Sequence, residues 1–187
     1  MIGAWVAEGR NQMLKTRLGH VYDRALYLTA IRAERPVIQG RRFALDYTID
    51  VHPLVVATAN RDYADIALCH VGTPCIYGEG AYILIPSRHT AYGVGLVPVG
   101  FRARAGIAGP LQVAIGLSGG SIYFNRRVPD PGETRFNFTA DGNAAILYRT
   151  QFGAIDAGFR LHHISNGNTG RVNPGMNSRL LFIGYDR

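Results

Sequence analysis

The residues best suited to do chemistry lie between Leu161 and Ser178, which read LHHISNGNTGRVNPGMNS. His163 and Ser165 stand two apart and are followed by a run of asparagine and glycine. On a strand, residues i and i+2 project side by side from one face, so His163 can take the Ser165 proton as that hydroxyl attacks an ester. His162 points to the opposite face and cannot share this role. A bare His-x-Ser pair also arises by chance at strand ends, so its meaning depends on its surroundings.

Other sites for chemistry are weaker. Gly116-Leu117-Ser118-Gly119-Gly120 satisfies the Gly-x-Ser-x-Gly form of a nucleophile elbow. That motif needs a strand, a sharp turn and a helix. Here Ser121-Ile122-Tyr123-Phe124 follows, which reads as more strand, so the glycines are expected inside a strand. His52, His70, His89, His162 and His163 lack paired ligand spacing, and the two cysteines have no partners in a zinc pattern. No phosphate-cradling loop of the P-loop type is present. No metal site and no cofactor are implied.

The wider context of the His-x-Ser pair resembles the lipid A 3-O-deacylase family, also described as acyloxyacyl hydrolase-like. Its signature is His-x-Ser-Asn followed by Asn-x-Gly-x-acid. This chain carries His163-Ile164-Ser165-Asn166 and then Asn173-Pro174-Gly175-Met176-Asn177. The resemblance continues upstream through Gly93-Val94-Gly95-Leu96-Val97-Pro98, Val128-Pro129 and Arg135-Phe136-Asn137-Phe138-Thr139, roughly the C-terminal half. It implies an eight-stranded outer-membrane barrel that removes an ester-linked acyl chain from lipid A without a metal. It further implies that Ser165 is the nucleophile and His163 its general base.

One position departs from the family pattern, which has a glutamate where Asn177 stands. That carboxylate would orient the imidazole and stabilise its charged form. An asparagine oxygen can accept the same Nδ1 proton but brings no negative charge, and the equivalent Asp-to-Asn change in a serine protease triad costs about 10⁴ in rate. The alternative to an esterase is therefore a catalytically weak or inactive barrel with a structural or lipid-binding role. Asn166, Gly167 and Asn173 are the candidate oxyanion or substrate-binding residues, Asn166 because it directly follows the nucleophile. The competing reading makes Asn166 and Gly167 a turn, and has Asn173 and Gly175 shape the turn that returns Asn177 to His163. Pro174-Gly175 suits a type II turn, with Gly175 at positive φ.

The elements that must position these residues read as strands. From Arg42 to His52 the pattern has period two: Phe43, Leu45, Tyr47, Ile49 and Val51 share one face, while Arg42, Asp46, Thr48, Asp50 and His52 share the other. Ala154 to Ser165 repeats the pattern, with Ile155, Ala157, Phe159 and Leu161 on the face of His163 and Ser165, and Asp156, Gly158, Arg160 and His162 opposite. Weaker strand signals cover Met1 to Glu8, Tyr22 to Ile31, Gly93 to Arg104, Leu111 to Phe124, Arg135 to Thr150 and Ser178 to Tyr185. Turns are expected at Val128-Pro129-Asp130-Pro131-Gly132, Asp141-Gly142-Asn143 and Asn173-Pro174-Gly175. Asn60 to Thr90 reads as a long loop with an extra strand unassigned.

About eight strands without repeats or heptads predict an all-β, antiparallel up-and-down barrel forming a single domain over residues 1–187. Alternation alone cannot say which face is outside, because soluble and membrane barrels share the period with opposite sense. The composition leans toward lipid. Hydrophobic residues make up 47% and charged residues only 18%, below the roughly 25% usual in soluble domains. No apolar run is long enough for a spanning helix.

The net charge of +7, carried by arginine with a single lysine, suits an anionic partner. The arginines are scattered and accompany no nucleic-acid motif, so lipid head groups, those of lipopolysaccharide in an outer membrane, fit better. Homodimerisation is left open. Cys69 and Cys75 could close a small disulfide loop or remain thiols. Met1 to Gly9 lacks the basic start and apolar run of a signal peptide, which predicts either a processed chain or a soluble barrel that binds an apolar ligand.

Overall fold

The computed structural model describes residues 1–11, 24–58, 62–65, 82–85, 90–128, 134–170, 173 and 175–187. Its strands are β1 (Ile2–Asn11), β2 (Ala25–Gln39), β3 (Phe43–Ala57), β4 (Asp62–Asp65), β5 (Tyr82–Ile85), β6 (Ala91–Ala108), β7 (Leu111–Phe124), β8 (Phe136–Arg149), β9 (Ala154–Ser165) and β10 (Met176–Asp186). Eight of them close an antiparallel barrel in the order β1-β10-β9-β8-β7-β6-β3-β2, and β4 pairs with β5 in a separate two-stranded sheet. The expected barrel is therefore present. The stretch read as a loop with one undecided strand contains two short ones.

Tight turns join β2 to β3, β6 to β7 and β8 to β9 at one end of the barrel, and the longer connections lie at the other. Pairing partners can be followed once round the wall, from Tyr148 on β8 through Ile155, Tyr185, Ala4, Ile31, Val51, Leu96 and Ser121. The circuit returns to β8 at Phe138, nearer the long-loop end. This stagger is the shear that closure of tilted strands requires. Each step from β9 to β10 to β1 along a row of partners therefore climbs toward the long loops.

Alternation along every strand sorts side chains between bore and wall. The wall carries Val6, Ile31, Ile49, Val51, Leu96, Ile115, Leu117, Ile146, Leu161, Leu181 and Ile183, all exposed. Above this band stand Tyr27, Tyr92, Tyr123, Phe136 and Phe138, and below it Phe43, Tyr148, Phe152 and Tyr185. An apolar band between two aromatic girdles is the pattern of a barrel standing in hydrocarbon, inside-out relative to a soluble one. The sense left open by alternation is thereby decided.

The bore is filled. Toward the long loops Leu26, Leu28, Val55, Ile122, Phe124, Ile164, Met176 and Leu180 are fully buried. In the middle the Arg160 guanidinium lies 3.8 Å from the Trp5 ring centroid and pairs with Asp141, while Asp141 also meets His162 Nδ1 at 3.2 Å. Arg32 makes a two-pronged bond to Asp50 at 2.8 and 2.9 Å. Arg102 contacts Glu34 at 2.9 Å, Asp186 at 2.8 Å and Asp156 at 2.6 Å. The acidic, basic and histidine residues that alternate with apolar ones in β3 and β9 thus find partners in the bore, as buried charges must.

Two local expectations are corrected. Asp141-Gly142-Asn143, read as a turn, lies inside β8. Asp141 turns into the bore, where Arg160 and His162 hold it, and Asn143 Nδ2 donates to its Oδ1 at 3.3 Å. Gly142 faces out between Leu117 and Leu161. Tertiary ion pairing overrides the local turn preference. β2 also runs on from Ile31 to Gln39, tolerating Pro36 beside a register shift between Pro36 and Ile38, the kind of position where a strand can lack an N–H. Tyr22, Cys69, Cys75, His70, His89 and residues 129–133 lie outside the described residues.

Candidate active site on the outer wall

His163 and Ser165 close β9 on its outward face, in line with Ile155, Ala157, Phe159 and Leu161, as the parity of the strand requires. Both are half-buried. His162 turns inward to Asp141. β10 returns antiparallel beside β9, with Asn177 directly opposite His163. Across that pair His163 Nδ1 lies 2.8 Å from Asn177 Oδ1.

An amide oxygen only accepts, so Nδ1 must be the donor of this bond, which leaves the Nε2 lone pair available as a base. Ser165 is its neighbour on the same face, opposite Phe138 on β8. Among the described residues no hydrogen bond joins the Ser165 hydroxyl to the ring, so proton transfer requires the hydroxyl to turn toward Nε2, a contact that commonly tightens only with substrate bound.

The connection between β9 and β10 is held by its own asparagines. Fully buried Asn166 gives its backbone N–H to Asn173 Oδ1 at 3.1 Å. Its own Oδ1 accepts the Asn168 N–H at 2.9 Å, and its carbonyl accepts from the Thr169 hydroxyl at 2.6 Å. Asn173 Nδ2 reaches Asn168 Oδ1 at 3.0 Å. Asn166 and Asn173 are therefore brought together, with the Asn166 backbone donor used inside the loop rather than aimed at the wall. Gly167 has φ of +63° and sits against the Phe138 ring. Asn168 and Thr169 belong to this frame but were not singled out from the sequence. The tendency of asparagine to bond backbone groups two residues on is the signal that could have found Asn168.

Gly175 has the positive φ expected of it, +65°. It also does something the sequence did not suggest. A Cβ there would lie 2.9 Å from His163 Cε1 and 3.6 Å from Nε2, so only hydrogen fits against that edge of the imidazole. Gly175→Ala should lower kcat about tenfold or more by displacing the ring from Asn177, while strain at positive φ costs roughly 1–2 kcal/mol of stability. Initial rates measured beside a urea unfolding midpoint test this; an unchanged kcat would show that the ring does not depend on the contact.

Around His163 the wall is low. Ala140 is its partner on β8 and Gly119 the next across on β7. Just beyond lies a shallow apolar depression of about 520 Å³ lined by Leu45, Phe101, Leu117, Gly142, Phe159 and Leu161. On the outer wall, hydroxyl, base and apolar trough lie within neighbouring strands. Among the described residues no group of three or more histidine, cysteine or acidic side chains is arranged to hold a metal.

The sequence over residues 76–186 matches the family model described as lipid A 3-O-deacylase (PagL). The solved structure of the outer membrane enzyme PagL shares the fold with a TM-score of 0.64 and 14% sequence identity, covering 97% of both chains. No curated protein matches the sequence.

Proposed function

Because the chain belongs to the lipid A 3-O-deacylase family, whose model spans more than half of it including every candidate site residue, we propose that it is a serine esterase of the bacterial outer membrane that hydrolyses an ester-linked acyl chain of lipid A. The observation that carries this reading is the bond from His163 Nδ1 to Asn177 Oδ1, which leaves the Nε2 lone pair free on the outward face that His163 shares with Ser165.

In this mechanism Nε2 takes the Ser165 proton as Oγ adds to the acyl carbonyl. Collapse breaks the carbonyl–oxygen bond to the sugar, and the departing sugar oxygen recovers the proton from Nε2. Water, deprotonated by the same imidazole, then releases the fatty acid and restores the serine. The depression beside Leu161 offers a bed for the acyl chain, and the wall position lets a lipid ester arrive without leaving the membrane. Mass spectrometry of lipid A incubated with the protein should show a species lighter by one acyl chain. Unaltered lipid A under conditions where the barrel is folded would remove this reading.

A second reading, a lipid-binding barrel without turnover, is favoured by one feature: Asn177 orients the ring but carries no charge to stabilise imidazolium. Asn177→Glu should raise the hydrolysis rate by up to about 10⁴, the size of the loss on the Asp-to-Asn change in a serine protease. If neither form releases fatty acid, the binding reading stands in place of the enzyme.

A further inference from the structure

On the other side of His163 from the apolar depression, two arginines face each other across the β1–β10 pairing. Arg10 is the partner of Arg179, and Arg179 is also the partner of Leu161, two residues before His163. Both are exposed on the outer wall. The stagger of the sheet lifts β10 relative to β9 and β1 further still, so the pair comes up to about the level of His163. Tyr27 of the upper aromatic girdle pairs with Glu8, two residues below Arg10, which puts the arginines at the depth where head groups begin.

Like charges directly opposite one another on a sheet destabilise it, and cations on the lipid-facing wall of a barrel add a cost that grows with depth. The arginines that turn into the middle of the bore have carboxylates: Arg32 has Asp50, Arg102 has three, Arg160 has Asp141. The side chains of Arg10 and Arg179 make no hydrogen bond or ion pair among the described residues. Glu8 lies on their face but its carboxylate bonds to neither. Among the described residues no carboxylate bonds to either member of the pair. An anion at head-group depth would account for it.

We propose that Arg10 and Arg179 together bind a phosphate of the glycolipid whose ester reaches His163 and Ser165. Two planar guanidinium forks converging from neighbouring strands match phosphate oxygens in geometry as well as charge. The inference rests on the reading above that the substrate is lipid A, which carries phosphates on its sugars, and it gives that substrate an orientation. The phosphate is held toward β1, the acyl chain lies toward Leu161 and Gly142, and the scissile ester is between them.

The test uses the full chain with Ser165→Ala, so that ligand survives, in neutral detergent micelles. Binding of bisphosphorylated lipid A is compared with binding of the same lipid after enzymatic dephosphorylation. The phosphorylated lipid should bind at least about tenfold tighter, the worth of a charge-assisted hydrogen bond. Arg10→Gln with Arg179→Gln should erase that preference without changing affinity for the dephosphorylated lipid, and Arg10→Lys with Arg179→Lys should keep part of it. A preference that persists in the glutamine pair, or an equal loss for both lipids, overturns the proposal. So does competition by phosphatidylglycerol as strong as by lipid A, since the site would then be reading any lipid phosphate. If the intact protein never releases fatty acid, the esterase reading fails while this binding result still decides the arginine site.

Discussion

Ser165→Ala should lower fatty-acid release from purified lipopolysaccharide by at least about three orders of magnitude while the barrel folds normally. The size of the effect follows from the role assigned to the hydroxyl. Removing a serine nucleophile takes away the acyl-enzyme route altogether, and in a serine protease the loss reaches about 2 × 10⁶ in kcat. Ser165 ends β9 on the outer face and its hydroxyl makes no hydrogen bond among the described residues, so the change should be silent in stability. Because Asn177 supplies no charge, the starting rate is expected to be low. The comparison is therefore best repeated on the Asn177→Glu background, where the fall has more room. Release that stays within about twofold of the unsubstituted protein in both backgrounds would take Ser165 out of the mechanism.

The second large effect is on folding. Arg102, 2% exposed, reaches from β6 to three carboxylates on three other strands: Glu34 of β2, Asp156 of β9 and Asp186 of β10. Arg102→Met leaves three acids in a filled bore with no cation among them except Arg32, which stands 3.8 Å from Glu34. Breaking one buried ion pair by removing a partner costs about 3–5 kcal/mol, and here three lose theirs at once. The variant should lose most of its folded fraction, read as the loss of the compact band in unheated electrophoresis samples. Combining Arg102→Met with Glu34→Gln, Asp156→Asn and Asp186→Asn should recover most of it, because the penalty lies in the orphaned charges rather than in the missing guanidinium. Failure of the combined variant to recover would mean that Arg102 is needed for packing, not for neutralisation.

Much of this organisation was legible in the residues. Period-two alternation in β3 and β9 correctly separated Asp46, Asp50, His52, Arg160 and His162 from the greasy face, and put His163 and Ser165 on the latter. The sense of the barrel was not legible, because it depends on two aromatic girdles whose members come from six different strands. Asp141-Gly142-Asn143 misled because its ion pairs with Arg160 and His162 are cross-strand contacts that no local window contains. The extent of β2 beyond Ile31 is hidden because Glu34, Arg35 and Pro36 break the apolar pattern, although Glu34 is drawn inward by Arg102. At the site, the opposition of His163 and Asn177 was implied by the family signature. The contact of Gly175 with the imidazole edge was not, since spacing says nothing of how closely two backbones approach. The Arg10–Arg179 pair was equally hidden, its members lying at opposite ends of the chain and meeting only because the barrel closes.

A bore filled from Arg102 to Phe124 has a kinetic corollary for a catalyst working on its exterior. Reactant cannot be threaded through such a protein, so under the proposed function it arrives sideways, by two-dimensional diffusion within one leaflet, and the trimmed product departs into the same sheet of lipid. Turnover is then governed by the mole fraction of glycolipid around the barrel rather than by its amount per unit volume, and inert lipid acts as a diluent even when bulk concentrations are held constant.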